Sequence, residues 1–430
     1  MRRPVGLETT GTTRDTATAP VPAKNPRLLK VIGKPPVATN SHVSMKLAIA
    51  SLHDNLQSGE MTNDPRLTAL ATSLPSTVPF VGPETQERAT GVPFTARLGA
   101  NECGFGPSPL AIKAMQDAAS QSWMYADPES YDLRHAIAAQ YDIPADCIVI
   151  GEGIDALLGY LVRLFVAKGD AVVTSAGAYP TFNYHVAGFG GVLHTVPYTG
   201  DHEDPVRLIA KAKEVNAKLI YIANPDNPMG SAHAGAEIER MVAAVPDGSL
   251  LILDEAYIEL APEGTAPAIS PHDPRVIRMR TFSKGYGLAG ARVGYAVCTP
   301  GVSQSFNKVR NHFGMSRISQ AGALAALLDD KHLDHVVTQV AKSRARIAKI
   351  ALENGLTPLR SATNFVAIDC GKGGDYAKRI VTELGKLGIF VRMPFVAPQN
   401  RCIRVSCGPD GEMSLFAKAL PKAIKAAQAG

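Results

Sequence analysis

The chain has 430 residues, 45% of them hydrophobic and 19% charged, with a formal net charge of +5. That is enough apolar content to bury a large core in two or three structural units, and no run of about 18 apolar residues reads as a membrane span. The small positive excess forms no basic stripe interleaved with aromatics, which excludes a nucleic-acid surface as the organising feature. The six cysteines (Cys103, Cys147, Cys298, Cys370, Cys402 and Cys407) show neither a C-x-x-C pair nor zinc-ligand spacing. They read as free thiols in a reducing compartment, the cytoplasm, and no metal site is expected.

In chain order, residues 1–60 are rich in Thr, Pro, Ala and Lys, with one short helical patch at 45–56. They read as a disordered extension, a transit peptide or later starts at Met45 or Met61 being the other readings. Residues 61–121 are expected to form an N-terminal arm and helix, with 77–100 extended and Ser108-Pro109 capping a helix that runs through Met115. A helix is expected at 131–141. The segments CIVIG, AVVTS, VLHTVPY, KLIYIA, SLLILD and VIRMRT are strand-like, and helical stretches such as 204–215 and 236–245 separate several of them. That alternation predicts an α/β unit at 122–303, a mostly parallel sheet with helices on both faces. AGARVGYAVC adds a strand that can join antiparallel. From 304 to 430 long helices precede FVAIDC, IFVRM and CIRVSC and a last helix, which predicts a smaller α+β domain.

In open α/β sheets ligands bind at the carboxyl ends of the strands, and four of these ends carry chemistry. Gly151-Glu152-Gly153-Ile154-Asp155 reads as strand, tight turn and helix start, a seat for phosphate. The same letters fit the dinucleotide pattern G-x-G-x-x-A, but AVVTS lacks the terminal acid that would hold a ribose, so that match is weak and an NAD enzyme stays the remaining alternative. Asn224-Pro225-Asp226-Asn227-Pro228 follows KLIYIA and reads by itself as an ordinary turn. Asp254 ends the apolar strand SLLIL, where a buried acid requires a cationic partner such as a protonated heterocycle. In RTFSKGYGLAGARVGY a lysine sits among glycines and small residues; desolvation lowers its pKa and frees the amine for Schiff-base chemistry. Ser283 and Arg292 beside it supply a hydroxyl and a fork suited to phosphate.

Together these motifs resemble the fold-type-I enzymes that use pyridoxal 5′-phosphate, and within them the histidinol-phosphate aminotransferase subgroup of the class I/II aminotransferases, over about residues 95–420. The resemblance implies that Lys284 binds the cofactor covalently and moves the proton, and that Asp254 pairs the pyridine nitrogen. It implies that Tyr257 and Asn224 hold the ring's phenolic oxygen and that Phe182 of YPTFNY stacks on the ring. Phosphate contacts map to Gly153, Ile154, Asp155, Ser283 and Arg292, with Tyr125 of WMYADP reaching from the second subunit of a homodimer. Arg404 of IRVSCG matches the arginine that grips the substrate carboxylate. In NECGFG, Phe105 stands where histidinol-phosphate enzymes have a tyrosine on the substrate phosphate.

The implied activity is transfer of an amino group from an amino acid, or L-histidinol phosphate, to a 2-oxo acid such as 2-oxoglutarate. An amino-acid decarboxylase or lyase of the same fold is the alternative. A pyridoxal-binding regulator would carry a helix-turn-helix, and residues 1–90 show no such pair of helices.

Overall fold

The computed structural model describes residues 67–76 and 81–429, so the expected helical patch at 45–56 and the extension around it lie outside the described residues. Twelve strands occur among them: β1 (Ala96–Arg97), β2 (Ile148–Gly151), β3 (Ala171–Ser175), β4 (Val192–Val196), β5 (Leu219–Ala223), β6 (Leu250–Asp254), β7 (Val276–Thr281), β8 (Gly294–Val297), β9 (Thr357–Pro358), β10 (Phe365–Asp369), β11 (Ile389–Phe390) and β12 (Cys402–Ser406).

Seven of them form one sheet in the order β2-β8-β7-β6-β5-β3-β4. β7, β6, β5, β3 and β4 run parallel, and β8 lies antiparallel between β7 and β2. β5 and β6 are buried along their whole length, as strands covered on both faces must be. The helix Ile154–Phe165 shows how one face is covered. Leu157, Leu158, Leu161 and Val162 recur at helical spacing, are fully buried, and join Leu219, Tyr221, Ile252 and Ile277 of the sheet in one apolar cluster. The opposite cluster takes Ile209 and Ala212 from the helix Pro205–Val215 and Ile238 and Val242 from Gly235–Ala243. Asp204 caps the first of these helices, its Oδ1 accepting the Arg207 N–H at 3.0 Å.

The remaining strands build a smaller sheet, antiparallel in the order β12-β10-β9, against the helices Asp330–Glu353, Gly374–Lys386 and Asp410–Ala429. β1, far upstream in sequence, pairs parallel with β11, Ala96 opposite Ile389. That pairing brings the NECGFG segment over the large sheet. The expected extended arm is interrupted, since Pro83–Thr90 is a helix that starts with proline at its first position and ends at Gly91 in the left-handed region. Proline at a helix start is compatible with helix, so a proline-bearing segment did not have to be extended.

Because six strands point the same way, the ends of β2, β3, β5, β6 and β7 open on one edge of the sheet. Truncating the support beneath that edge should be costly: Leu161→Ala is expected to lower stability by about 2–5 kcal/mol. Urea unfolding of the purified variant checks this, and an unchanged midpoint would contradict the packing role.

Candidate active site

The strand ends surround a cavity of about 410 Å³. Its lining includes Ile154, Asp155, Tyr179, Asn227, Asp254, Tyr257, Ser283, Lys284, Arg292, Arg392 and Arg404. Residues 250 positions apart in the sequence, Ile154 and Arg404, therefore line one cavity.

Lys284 follows β7 in a loop that turns sharply at Gly287, whose φ is 70°. A side chain there would collide with the backbone, its Cβ only 2.5 Å from the Gly106 oxygen. The loop can press against NECGFG because position 287 is glycine. Lys284 Nζ donates to the Asn101 carbonyl at 3.0 Å and stands 5.7 Å from the centre of the Tyr257 ring. Burial, with the Arg404 charge nearby, lowers its pKa to about 8. A usable fraction of neutral amine therefore exists near neutral pH.

Asp254 is buried at the end of β6, and its hydrogen bonds come from neutral donors, the Tyr221 hydroxyl to Oδ2 at 2.7 Å and the Ala256 N–H to Oδ1 at 3.0 Å. Burial raises its pKa to about 6, against the pull of those two donors. A buried carboxyl aimed into a cavity and held by neutral donors fits a protonated ring nitrogen as its counter-charge.

The anion seat is built from three directions. Gly153, with φ 84°, caps the helix Ile154–Phe165, whose first residues, Ile154 and Asp155, line the cavity and leave helix-start N–H groups without intrahelical partners. A Cβ at 153 would lie 2.6 Å from Arg292 Nη2, so glycine lets the arginine close over the helix start. Ser283 approaches from the third side, its N–H donating to Thr281 Oγ1 at 3.1 Å. Asp155 shares the seat, accepting from Tyr179 Oη at 2.8 Å and from Arg292 Nη2 at 3.4 Å. Charge-assisted hydrogen bonds contribute roughly 1.5–3 kcal/mol each and the helix dipole about 0.3–1 kcal/mol, so Arg292 and Ser283 outweigh the dipole. Phosphate, ring nitrogen and amine partners thus all exist on one wall, and the residues present fit pyridoxal 5′-phosphate.

Opposite, Arg404 projects from β12 over the Phe365 ring, 5.2 Å from its centre. Nη1 donates to Asn227 Oδ1 at 2.6 Å and Nη2 to the Gly99 carbonyl at 3.4 Å. Burial lowers its pKa to about 10, so it stays cationic at physiological pH. Arg392 also reaches the cavity, its backbone bridged to that of Arg404.

Four residues singled out from the sequence lie elsewhere. Phe182 is fully buried in the core, stacked on Tyr221 with centroids 5.0 Å apart, and Tyr179 lines the cavity three residues earlier. The helix Pro180–Gly188 starts between them: Tyr179 precedes it with non-helical backbone angles, while Phe182 belongs to its first turn and packs into the core. Asn224 spends its amide on the loop: Oδ1 accepts the His233 N–H at 2.8 Å, and Nδ2 donates to His233 O at 3.2 Å and Thr265 O at 3.4 Å. Asn227 lines the cavity instead. Phe105 packs against the core of the smaller sheet and is not part of the lining. Tyr125 is 77% exposed, its ring 4.7 Å from that of Phe313, away from this chain's own cavity.

Sequence reasoning passed over Asn101 and Tyr221. Asn101 sits at φ 56°, a conformation asparagine tolerates, and its Nδ2 donates to the Tyr257 hydroxyl at 3.0 Å. One residue thus holds the lysine, through its carbonyl, and the tyrosine, through its side chain. Tyr221 was hidden in an apolar strand, although a hydroxyl inside a buried strand signals a buried acceptor.

Competitive acylation across pH, with peptide mapping of cofactor-free protein, should show Lys284 titrating near 8. A Lys284 midpoint at the model-peptide lysine value of about 10.4 would contradict the desolvated geometry.

The family model for aminotransferase class I and II matches residues 95–420. A histidinol-phosphate aminotransferase from Anaeromyxobacter sp. (strain Fw109-5) is 36% identical over 326 residues, 74% of this chain and 88% of that protein. One from Nitrosococcus oceani is 33% identical over 347 residues, 80% of this chain and 92% of its own length. Among solved structures, histidinol-phosphate aminotransferase from Sinorhizobium meliloti in complex with pyridoxal-5′-phosphate superposes with a TM-score of 0.82 at 54% identity, covering 85% of this chain and 99% of that one. An aspartate aminotransferase from Thermus thermophilus, at 20% identity and a TM-score of 0.67, shares the fold. With a wall that pairs a desolvated lysine, a buried aspartate and a phosphate seat, and with a family match spanning most of its length, the chain belongs to the class I and II aminotransferases, enzymes that use pyridoxal 5′-phosphate.

Proposed function

We propose that this aminotransferase takes L-histidinol phosphate as amino donor and a 2-oxo acid such as 2-oxoglutarate as acceptor, working as a cytoplasmic homodimer. The observation that carries the reading is that Arg404 and Lys284 line one cavity, close enough for the Arg404 charge to act on the amine. The clamp for an acidic group and the base for a proton thus share one site, with Arg392 bridged to the clamp. The names of the relatives support the donor. Phe105, which lacks the hydroxyl a substrate phosphate could use, is turned onto the core and leaves that donor open.

Bound here, the cofactor would supply an electron sink for charge that develops at the substrate's α-carbon. Lys284 would hold the cofactor's aldehyde and serve as general base toward the substrate's α-proton; a pKa near 8 suits that task at neutral pH. Asp254 keeps the ring nitrogen protonated, and Tyr221 and Ala256 N–H fix its carboxylate for that bond. Tyr257, held by Asn101, and Asn227 would hold the phenolic oxygen, roles given to Tyr257 and Asn224 on sequence alone. Tyr179 takes the stacking role expected of Phe182. Gly153, Ile154, Asp155, Ser283 and Arg292 hold the phosphate. Arg404 grips a carboxylate in two-pronged fashion, as the acceptor 2-oxo acid requires.

Tyr125 is proposed to reach the phosphate of the second subunit. Its exposure, with Trp123 82% exposed beside it, suits a surface that a second copy covers.

A donor panel that includes L-histidinol phosphate and aromatic amino acids, with 2-oxoglutarate as acceptor, should give stoichiometric glutamate with histidinol phosphate as the preferred donor. Preference for another donor overturns the substrate, and carbon dioxide or ammonia without glutamate overturns the reaction in favour of a decarboxylase or lyase.

Subunit complementation addresses Tyr125. Lys284→Ala is expected to be inactive and Tyr125→Ala to bind cofactor weakly. Mixed and reassociated, they should recover about a quarter of wild-type activity, because half the dimers carry one intact site. No recovery would place Tyr125 outside the partner's site.

A further inference from the structure

Behind the Asn227 side of the cavity two acids are buried against each other. Glu203 is 1% exposed and Asp226 2%. Asp226 commits both oxygens, Oδ1 accepting from the Tyr198 hydroxyl at 2.9 Å and Oδ2 from the Met229 N–H at 3.0 Å. Glu203 Oε1 accepts the Ala223 N–H at 2.9 Å. Its other oxygen, Oε2, is buried and receives no donor among the described residues. The two carboxyls lie within hydrogen-bonding reach of each other, with the Ser175 hydroxyl close by. Two buried carboxylates in contact cannot both stay charged. One proton on Glu203, donated to Asp226, satisfies the orphaned oxygen and the charge together.

The pair sits behind a turn that carries site residues. Asp226 N–H donates to Ser231 O at 2.8 Å and Gly230 N–H to Asp226 O at 3.1 Å, closing the loop around Asn227. Asn227 Oδ1 in turn accepts from Arg404 Nη1.

We propose that Glu203 and Asp226 are positioning residues that share one proton and hold the 226–231 turn, so that Asn227 keeps Arg404 aimed at a substrate carboxylate. The proposal rests on Arg404 being the carboxylate clamp. Loss of the proton places a second negative charge behind Asn227, where it repels Asp226 and competes with substrate for Arg404.

The surrounding charges set the direction. Burial raises Asp226 to about 7, against the pull of its hydrogen bond with Glu203, while burial and then the facing Asp226 raise Glu203 well above its ordinary range. Asp254 at the end of β6 pushes Glu203 further up, while Arg404 pulls Asp226 down. The hydroxyls of Tyr198, Tyr221 and Tyr257 face the pair and stay protonated, their pKa values raised by burial. His233 meets Glu203 through the backbone, Nε2 on the carbonyl oxygen at 2.8 Å, and His202 lies against His233. For raised acids, the protonated arrangement is present at lower pH and is lost as pH rises. Carboxylate affinity should therefore fall above neutrality.

Succinate, which carries carboxylates and cannot react, is the probe, titrated calorimetrically into holoenzyme at about pH 6.5 and about pH 8.5. In Glu203→Gln the amide donates to Asp226 and accepts from Ala223 at any pH. Wild type is expected to lose about fivefold or more in affinity across that range. Glu203→Gln should match wild type at the lower pH and show a loss at least about threefold smaller, since cofactor and Lys284 titrate alike in both. Infrared difference spectra between the two pH values should lose a protonated-carboxyl band in wild type that Glu203→Gln lacks. A variant that tracks wild type across pH, or one weakened at both pH values with the pH response unchanged, overturns the proposal. Asp226→Asn, whose amide can donate to Glu203, serves if Glu203→Gln fails to fold. Arg404→Ala separates the premise: it should weaken succinate about tenfold or more at both pH values. An unaffected Arg404→Ala refutes the clamp itself.

Discussion

An aspartate buried at the end of an apolar strand, lining the same cavity as a lysine that burial has stripped of water, is the constraint around which the site is arranged. Neither charge is stable alone in such surroundings. Asp254 is held by a tyrosine hydroxyl and a backbone N–H, and Lys284 by a backbone carbonyl. Neutral partners of this kind fix the two groups in space without cancelling their charge. A cofactor with a basic ring nitrogen and an aldehyde meets both needs at once, which is why the same wall also carries a phosphate seat.

The parallel sheet makes that arrangement possible. Its strands end on one edge, and each ends in a loop whose geometry is set locally: a glycine at φ 84° before one helix, a tight turn at Gly287 after β7, the closed 226–231 turn after β5. The smaller sheet adds what the large one lacks, a guanidinium on β12. Asn101 joins the two, its N–H donating to Ser406 Oγ at 3.0 Å while its side chain reaches Tyr257. Positioning therefore depends on contacts between segments far apart in the chain, and each reactive group has a second layer behind it. The Glu203–Asp226 pair is such a layer for Arg404, as Tyr221 is for Asp254.

Much of this was readable without coordinates. The strands ending in Asp254 and Thr281, the helix Tyr131–Tyr141, the proline-started helices and the mostly parallel sheet all follow from apolar runs, caps and alternation. Lys284, Asp254 and Arg292 stood out because a charged residue in an apolar or glycine-rich setting is costly unless it has a use, and Arg404 through the family resemblance of IRVSCG. Where sequence reasoning missed, the cause was rotation within a short segment. Phe182 and Tyr179 lie three residues apart across a helix start, and Asn224 and Asn227 three residues apart across a turn. A motif names the segment, yet only the turn decides which of two similar side chains faces the cavity.

By itself, then, the amino-acid order determined which strands form, which of their ends carry reactive groups and what cofactor chemistry those groups suit. These are properties of local pattern and of the cost of burying charge. Tertiary structure alone decided that Asn101 ties Lys284 to Tyr257, that Asn227 rather than Asn224 lines the cavity, and that Glu203 lies against Asp226 across 22 residues of intervening chain. Such pairings are set by strand order and by the closing of loops, and no local periodicity records them.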